Sequence, residues 1–433
     1  MKKPLQVNPI KLSQPMGATL AFLGIDRCMP LMHGAQGCAS FTKVFMTRHF
    51  CEPIALQTTA VTNVSAILDG GDYSINESVK NIYNKVKPSL IGLYTTGLPE
   101  TKGDDIGGVA AGIDCPMVHV STTDYEGAFE SGWTLTCQAL IKQLVEKRDK
   151  VDSEKIVLLP HVCLQPIEVE KIKDFIASFG FNVYALPDIS SSLDGHLGEK
   201  QASLSSGGIS LEEITELGDA AMVISVGESM QSCATALLKK NDQMRHYHFS
   251  HLGGLMAPDE LTLALLKASD LETPPAVVTR WRKRLQDAML DCHFALGQTR
   301  FLVTGEPDQL ASLCTTLHEV GGQITVAISS VKSAQLEQLP AERIIIGDLE
   351  DAERYADEYD VIIGCCHVEA LAHRLHKPAI IRGFPNWEQV GNQLKNDILY
   401  EGSAYLLFEA ANLVIEHQAA LGQAQDCRES SMI

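Results

Sequence analysis

The sequence predicts an α/β protein of three open domains with parallel sheets, and three observations carry that expectation. Short apolar runs of buried-strand type alternate with segments of helical period. Each run ends at proline or glycine before polar residues, as parallel strand–helix units do. The alternation recurs three times along 433 residues, a length that can bury two or three cores of ordinary size.

The first block, residues 1–150, holds the strand runs SLIGLYTTG (89–97) and PMVHVST (116–122), followed by a helix through WTLTCQALIKQLVEK. The second block, 151–273, begins with KIVLLP (155–160). A helix follows over 166–179, where Ile167, Val169, Ile172, Phe175 and Ile176 repeat with helical spacing against Glu168, Glu170, Lys171 and Lys173. Gly180 marks its stop. FNVYALP (181–187) and AMVISVG (221–227) are the next strands, and the serine- and glycine-rich stretch 188–210 is a loop. Residues 274–298 open with a proline pair, continue with helical period and form a connecting helix. The third block, 299–433, opens with TRFLVTGEPDQLASLCTTLHEVGG, continues through QITVAIS, RIIIGD, DVIIGC and PAIIRG, and ends in helices. In such sheets ligands bind beyond the carboxyl ends of the strands.

Composition narrows the function. A net charge of −19 argues against nucleic acid as a partner, because neutralising phosphates takes clustered Lys and Arg. No uncharged apolar run reaches the length of a membrane span. The opening MKKPLQVNPIKLSQP has no apolar stretch that would serve as a signal peptide. The expected compartment is the cytoplasm, with no membrane partner.

Several nucleotide and hydrolytic motifs are absent. GGVAAG (107–112) has the wrong glycine spacing for a dinucleotide fingerprint, and no G-x-x-x-x-G-K-[ST], G-x-S-x-G or H-E-x-x-H occurs. No catalytic acid, base or nucleophile is predicted. The histidines of RHYHFSH (245–251) and of HVEALAHRLH (367–376) offer no clean metal-binding pair and are expected in polar surface or capping contacts. Twelve cysteines occur without a single C-x-x-C pair. That spacing argues against a structural zinc site, a thioredoxin-like site or a self-contained ferredoxin cluster. Most of them, including the vicinal Cys365–Cys366, sit in apolar surroundings and are expected as packed side chains.

Cys38 differs. GATLAFLGIDRCMPLMHGAQGC places Gly24, Gly34 and Gly37 around its approach. Glycine lets the main chain come close to a bulky inorganic group. The runs SQPMGATLAFLGI (13–25), MPLMHGAQGC (29–38), RHFCEPIALQTTA (48–60), LYTTGLPETKGDD (93–105) and RLQDAMLDCHFALG (284–297) resemble β-type subunits of the nitrogenase component-one family, over nearly the whole chain.

The resemblance implies three Rossmann-like domains with parallel sheets. In the catalytic β subunit three cysteines serve an eight-iron cluster shared with the α partner. The matching positions here are Ser13, Cys38 and Gly97. Two thiolates are missing, and the eight-iron cluster is not expected. Cys38 is instead expected to give one ligand to a 4Fe-4S cluster whose other ligands come from a partner chain. With that pattern the resemblance implies the scaffold branch of the family, on which the iron–molybdenum cofactor is matured from the precursor that NifB supplies. The implied partners are a NifE-type α subunit, which holds most of the precursor in a heterotetramer of two pairs, the reductase NifH, docking transiently, and nitrogenase component one as acceptor of the finished cofactor. Cys28 and Cys51 lie off the ligand positions and are expected to pack, while the pattern assigns no role to His49. Two other readings stand beside this one: a β subunit of a catalytic nitrogenase-like reductase, and a metal-free α/β binding protein.

Overall fold

The structure, a computed structural model, describes residues 10–50, 54–61, 71–197 and 203–430, with 422–430 described by backbone alone. The chain divides into two compact units. One comprises Lys11–Phe249 and Trp387–Lys395, the other Ser250–Asn386, the chain from Asn396 onward and the N-terminal residues up to Ile10.

The first unit contains two parallel sheets of four strands. In the first sheet, β1 (Cys28–His33), β2 (Gln57–Thr58), β3 (Leu90–Thr95) and β4 (Met117–Val120) lie in the order β2-β1-β3-β4. β1 and β3 pair in register from Cys28–Leu90 to His33–Thr95, and every residue of both is buried. Burial on both faces is why β3 reads as a continuous apolar run.

Helix α1 (Gln14–Leu23) is buried along its whole length. It crosses α6 (Phe129–Leu144) at two glycines: a Cβ on Gly17 would stand 2.0 Å from the Phe129 carbonyl oxygen, and one on Gly132 would stand 2.0 Å from that of Gln14. Along the chain between α1 and α6 come α2 (Gln36–His49), α3 (Asp72–Val86), α4 (Gly97–Lys102) and α5 (Ile106–Ala111).

The second sheet holds β5 (Asp152–Leu159), β6 (Asn182–Ala185), β7 (Ala220–Val226) and β8 (Arg245–Phe249) in the order β6-β5-β7-β8. The predicted helix is α7 (Pro166–Ala177), started by Glu168, whose carboxylate accepts from the Gln165 amide at 2.7 Å. Gly180 follows at φ +94°, a conformation that favours glycine. The helices α8 (Leu211–Thr215) and α9 (Gln231–Leu238) complete this part. The two sheets share α6: the Trp133 indole donates to the Pro160 carbonyl at the end of β5, at 2.8 Å.

The second unit carries a five-stranded parallel sheet in the order β11-β10-β9-β12-β13. Its strands are β9 (Arg300–Thr304), β10 (Gln323–Ser329), β11 (Ala341–Ile346), β12 (Val361–Gly364) and β13 (Ala379–Ile381). Leu302, Val326, Ile328 and Ile362 pack with Leu349, Tyr359, Val368 and Leu371 in its core. The predicted connecting helix follows α10 (Met256–Ala268) as α11 (Ala276–Leu296). Then come α12 (Pro307–Glu319), α13 (Leu349–Arg354), α14 (His367–Leu375) and α15 (Leu399–Ser430), which packs along α11. Although RIIIGD reads as a buried strand, β11 lies at the sheet edge and is largely exposed. Among the described residues, no helix is long and apolar enough to cross a membrane.

Candidate functional site

In the first sheet the chain steps from β1 to β2 on one side and to β3 on the other. The carboxyl ends of β1 and β3 therefore form the switch point where open α/β sheets bind ligands. HGAQGC leaves β1 there, and TTG leaves β3. The two loops touch. The Thr96 amide donates to the His33 carbonyl at 3.1 Å, and a Cβ on Gly34 would come within 2.5 Å of the Thr96 hydroxyl. Only glycine lets the main chain pass at that point.

A third loop, following β4, closes the site. The Gly97 amide donates to Asp124 Oδ2 at 2.9 Å, and the Thr122 amide donates to Thr95 Oγ1 at 2.9 Å. Gln14, next to Ser13, reaches the same loop: its Oε1 accepts from the Thr123 amide at 3.1 Å and its Nε2 donates to Ser131 Oγ at 3.0 Å. Gln14 and Gly97 are thus both tied to the loop 122–125, and the loop that leads to Cys38 touches Thr96 beside it.

Of these three positions only Cys38 bears a thiol. It lies in the first turn of α2 and is exposed. Partial burial and then the negative charge of Asp124 push its pKa up. Gly37 faces open space, with no atom of the described residues within 4 Å of a built Cβ. Phe41, one turn along α2 from Cys38, is 70% exposed, and Leu98 and Tyr125, beside Gly97, are exposed as well. Clustered exposed apolar side chains of this kind suit a protein interface. Among the described residues no group of three or more His, Cys, Asp or Glu could hold a metal ion.

His33 fastens the site from below. Nδ1 lies 2.8 Å from Thr59 Oγ1 and Nε2 lies 3.0 Å from Asp104 Oδ2. A carboxylate accepts only, so Nε2 carries the proton and Nδ1 accepts from the threonine. Burial lowers the His33 pKa despite Asp104. Sequence reasoning missed His33, Asp104, Gln14 and Asp124. His33 opens HGAQGC, and Gln14 and Asp104 lie inside the runs that carry the resemblance, but no role was read for any of them, and Asp124 lies outside those runs.

The remaining candidates serve packing or local hydrogen bonding. Cys28 is fully buried in β1, and burial raises its pKa strongly. Cys51 lies outside the described residues. His49 is buried at the end of α2, with Nε2 3.0 Å from Gln165 Oε1 and its ring edge-on to Phe50 at 4.5 Å. Burial pushes its pKa down to about 4. It is a neutral link from α2 to the residue preceding α7. Trp387 stacks on Phe45 of α2 at 5.3 Å. GGVAAG is part of α5, whose first turn is capped by Asp105 accepting from the Gly108 amide at 2.9 Å.

His246 and His248 both meet Ser225, with Nε2 at 2.8 Å and Nδ1 at 3.0 Å from its Oγ. His248 Nε2 stands 3.3 Å from Glu228. In the other unit the Cys366 amide donates to Asn386 Oδ1 at 3.0 Å. Cys365 lies 3.4 Å from His367 Nδ1, its pKa pushed up to about 12 by burial. His376 ends α14 in a left-handed conformation at φ 53°.

Residues 13–415 match the family described as nitrogenase component 1 type oxidoreductase. Among relatives, the "Nitrogenase iron-molybdenum cofactor biosynthesis protein NifN" of Rippkaea orientalis is 38% identical, with 96% of each chain covered. The protein of the same name from Klebsiella pneumoniae is 34% identical over 96% of this chain and 92% of its own. Among solved structures, one titled "Nitrogenase Cp1 at pH 6.5" aligns with a TM-score of 0.90 at 26% identity, covering 96% of this chain and 94% of that one. A second, "Nitrogenase Cp1 at pH 5", aligns at 0.69 and 14% identity over 95% and 90%, a likeness of fold.

Proposed function

The chain belongs to the nitrogenase component 1 type oxidoreductase family, and on that premise we propose that it is the β-type half of a scaffold that matures the iron–molybdenum cofactor. Its relatives carry that biosynthetic name. The observation that carries the reading is Cys38, an exposed thiol at the switch point whose two companion positions, Ser13 and Gly97, have lost theirs. A single outward thiol fits one corner of a 4Fe-4S cluster whose other ligands come from a NifE-type partner. It does not fit an eight-iron cluster held by three thiolates from this side.

In this reading Cys38 binds one iron at the boundary of the two chains. Phe41, one turn from Cys38, with Leu98 and Tyr125 beside Gly97, offers apolar surface to the partner. His33 and Asp104 hold the β1 loop at its height. The cluster, when bound, supplies one-electron transfer. The complex would form as two pairs, with the precursor from NifB held mainly in the partner. NifH would dock transiently, and nitrogenase component one would take the product. The chain contributes structure and one ligand, and catalysis belongs to the assembly.

The test is the complex purified with its partner. Cys38→Ala is expected to remove about four irons per pair and the paramagnetic signal of the reduced cubane. Unchanged iron and spectrum would overturn the assignment. A count of eight irons per pair, dependent on this chain, would mark a catalytic β subunit instead.

A further inference from the structure

The carboxylate at position 124 occupies a suggestive place. Gly97 stands where the family resemblance puts a third thiolate, and its amide donates to Asp124 Oδ2 at 2.9 Å. A Cβ built on Gly97 would stand 3.3 Å from that same oxygen and 3.3 Å from the Tyr125 ring. The chain has lost a thiolate at 97 and holds a different anion at the spot. Asp124 and Cys38 are both exposed, and the loops bearing Gly97 and Cys38 are in direct contact through Thr96 and Gly34.

Two further bonds keep the loop from swinging away. The Thr122 amide is tied to Thr95 Oγ1, and the Thr123 amide to Gln14 Oε1. The anion is therefore fixed by its own acceptor bond and by both residues before it.

We propose that Asp124 is a positioning residue for the cluster at Cys38, a fixed negative charge that takes the electrostatic place of the absent thiolate at 97 and lowers the cluster's reduction potential. Reduction adds an electron, and a carboxylate close by opposes that gain. Net charge and hydrogen bonding around a cluster set its potential. The inference rests on the scaffold reading above, because it needs a cluster at Cys38.

A plain capping role for Asp124 at the start of α4 predicts something different, and asparagine separates the two. Asn accepts the Gly97 hydrogen bond as well as Asp does at a helix start, but it carries no charge. In the complex with its partner, Asp124→Asn is expected to retain the full iron content and to move the midpoint of an EPR-monitored redox titration to higher potential. Asp124→Ala should move it in the same direction. An unchanged midpoint in Asp124→Asn overturns the proposal, and so does loss of iron, which would make Asp124 a ligand. Cys38→Ala, run alongside, tests the scaffold reading itself. Iron retained in that variant defeats that reading, whereas a cluster lost with Cys38 but indifferent to Asp124→Asn defeats only the inference about charge. No iron in the unsubstituted complex overturns both.

Discussion

Gln14 and Thr123 are joined across 109 positions by a hydrogen bond of 3.1 Å from the threonine amide to the glutamine side chain. The bond links the first turn of α1 to the loop that carries Asp124. The other arm of the same carboxamide reaches Ser131 at 3.0 Å. Gln14 is thus a brace between α1, the site loop and the start of α6.

Gln14→Ala removes both bonds and leaves the Thr123 amide without its partner. The expected cost is about 1–3 kcal/mol. The diagnostic consequence is local. Hydrogen exchange at the amides of Thr122 and Thr123 should accelerate more than that of β1 and β3. Gln14→Glu keeps an acceptor for Thr123 and should restore most of the protection. Equal exchange in all three proteins would show that the brace does not hold the loop.

Gly132 and Gly37 make a matched pair for a second prediction. Alanine at Gly132 would push a methyl to within 2.0 Å of the Gln14 carbonyl, at the crossing of α1 and α6. Backbone cannot yield cheaply there, and a loss of at least about 1–3 kcal/mol is expected from overpacking. Gly37→Ala meets nothing within 4 Å and replaces glycine in a helix, which is worth up to about 1 kcal/mol in favour of alanine. Its melting temperature should hold or rise, while the iron content of the complex should fall if the cluster or partner occupies the space that Gly37 leaves. Thermal melts and iron analysis on the two variants check both halves. A stable Gly37→Ala complex with full iron would remove that glycine from the site.

Most of the strands legible in the sequence are rich in Val, Ile and Leu, whether largely buried as β5, β7 and β10 are or at an exposed edge as β11 is. β1 was not legible, because CMPLMH mixes cysteine, methionine, proline and histidine into a fully buried strand. α1 was missed for a different reason. All ten of its residues are buried, so it has no polar face and shows no helical period. Cys38 stood out because glycine flanks it and because the family resemblance placed a ligand there. Asp124 and Gln14 carried no such mark, since the groups they hold lie 27 and 109 positions away in the chain. Spacing rules see neighbours three or four residues apart, whereas this site is assembled by strand order.

Ser225 is wholly buried and meets two imidazoles, at 2.8 Å from His246 and 3.0 Å from His248. One hydroxyl proton can serve only one of them, so the other ring must donate. Glu228, on the far nitrogen of His248, favours the tautomer in which His248 Nδ1 accepts and His246 donates. Ser225→Ala removes the partner of both rings and is expected to cost about 1–3 kcal/mol. Ser225→Thr keeps the hydroxyl and should recover the hydrogen bonds. Urea unfolding of the two variants checks this, and equal midpoints would mean that the hydroxyl contributes nothing.

His49 leads to a prediction about acid. Burial holds its folded-state pKa at about 4, while an unfolded chain titrates near 6.5. Above 6.5 the ring is neutral in both states and no penalty arises. Below 6.5 the unfolded chain gains a proton that the folded chain refuses, so stability falls as the pH drops and levels off once it passes about 4. At pH 5 the loss from this one group is about 2 kcal/mol. His251, in the other unit, is also pushed down to about 4 by burial and adds a loss of the same sign over the same window. His49→Leu removes the titration together with the 3.0 Å bond to Gln165. At pH 7.5 the variant should be weaker by about 1–3 kcal/mol, the cost of leaving the glutamine acceptor unpaired. Between pH 7.5 and pH 5, however, it should lose about 2 kcal/mol less than the unsubstituted protein. Urea titrations at the two pH values measure that difference directly. If both proteins lose the same stability, the acid sensitivity resides in other groups, and His49 is charged or exposed in a way its buried contact with Gln165 does not allow.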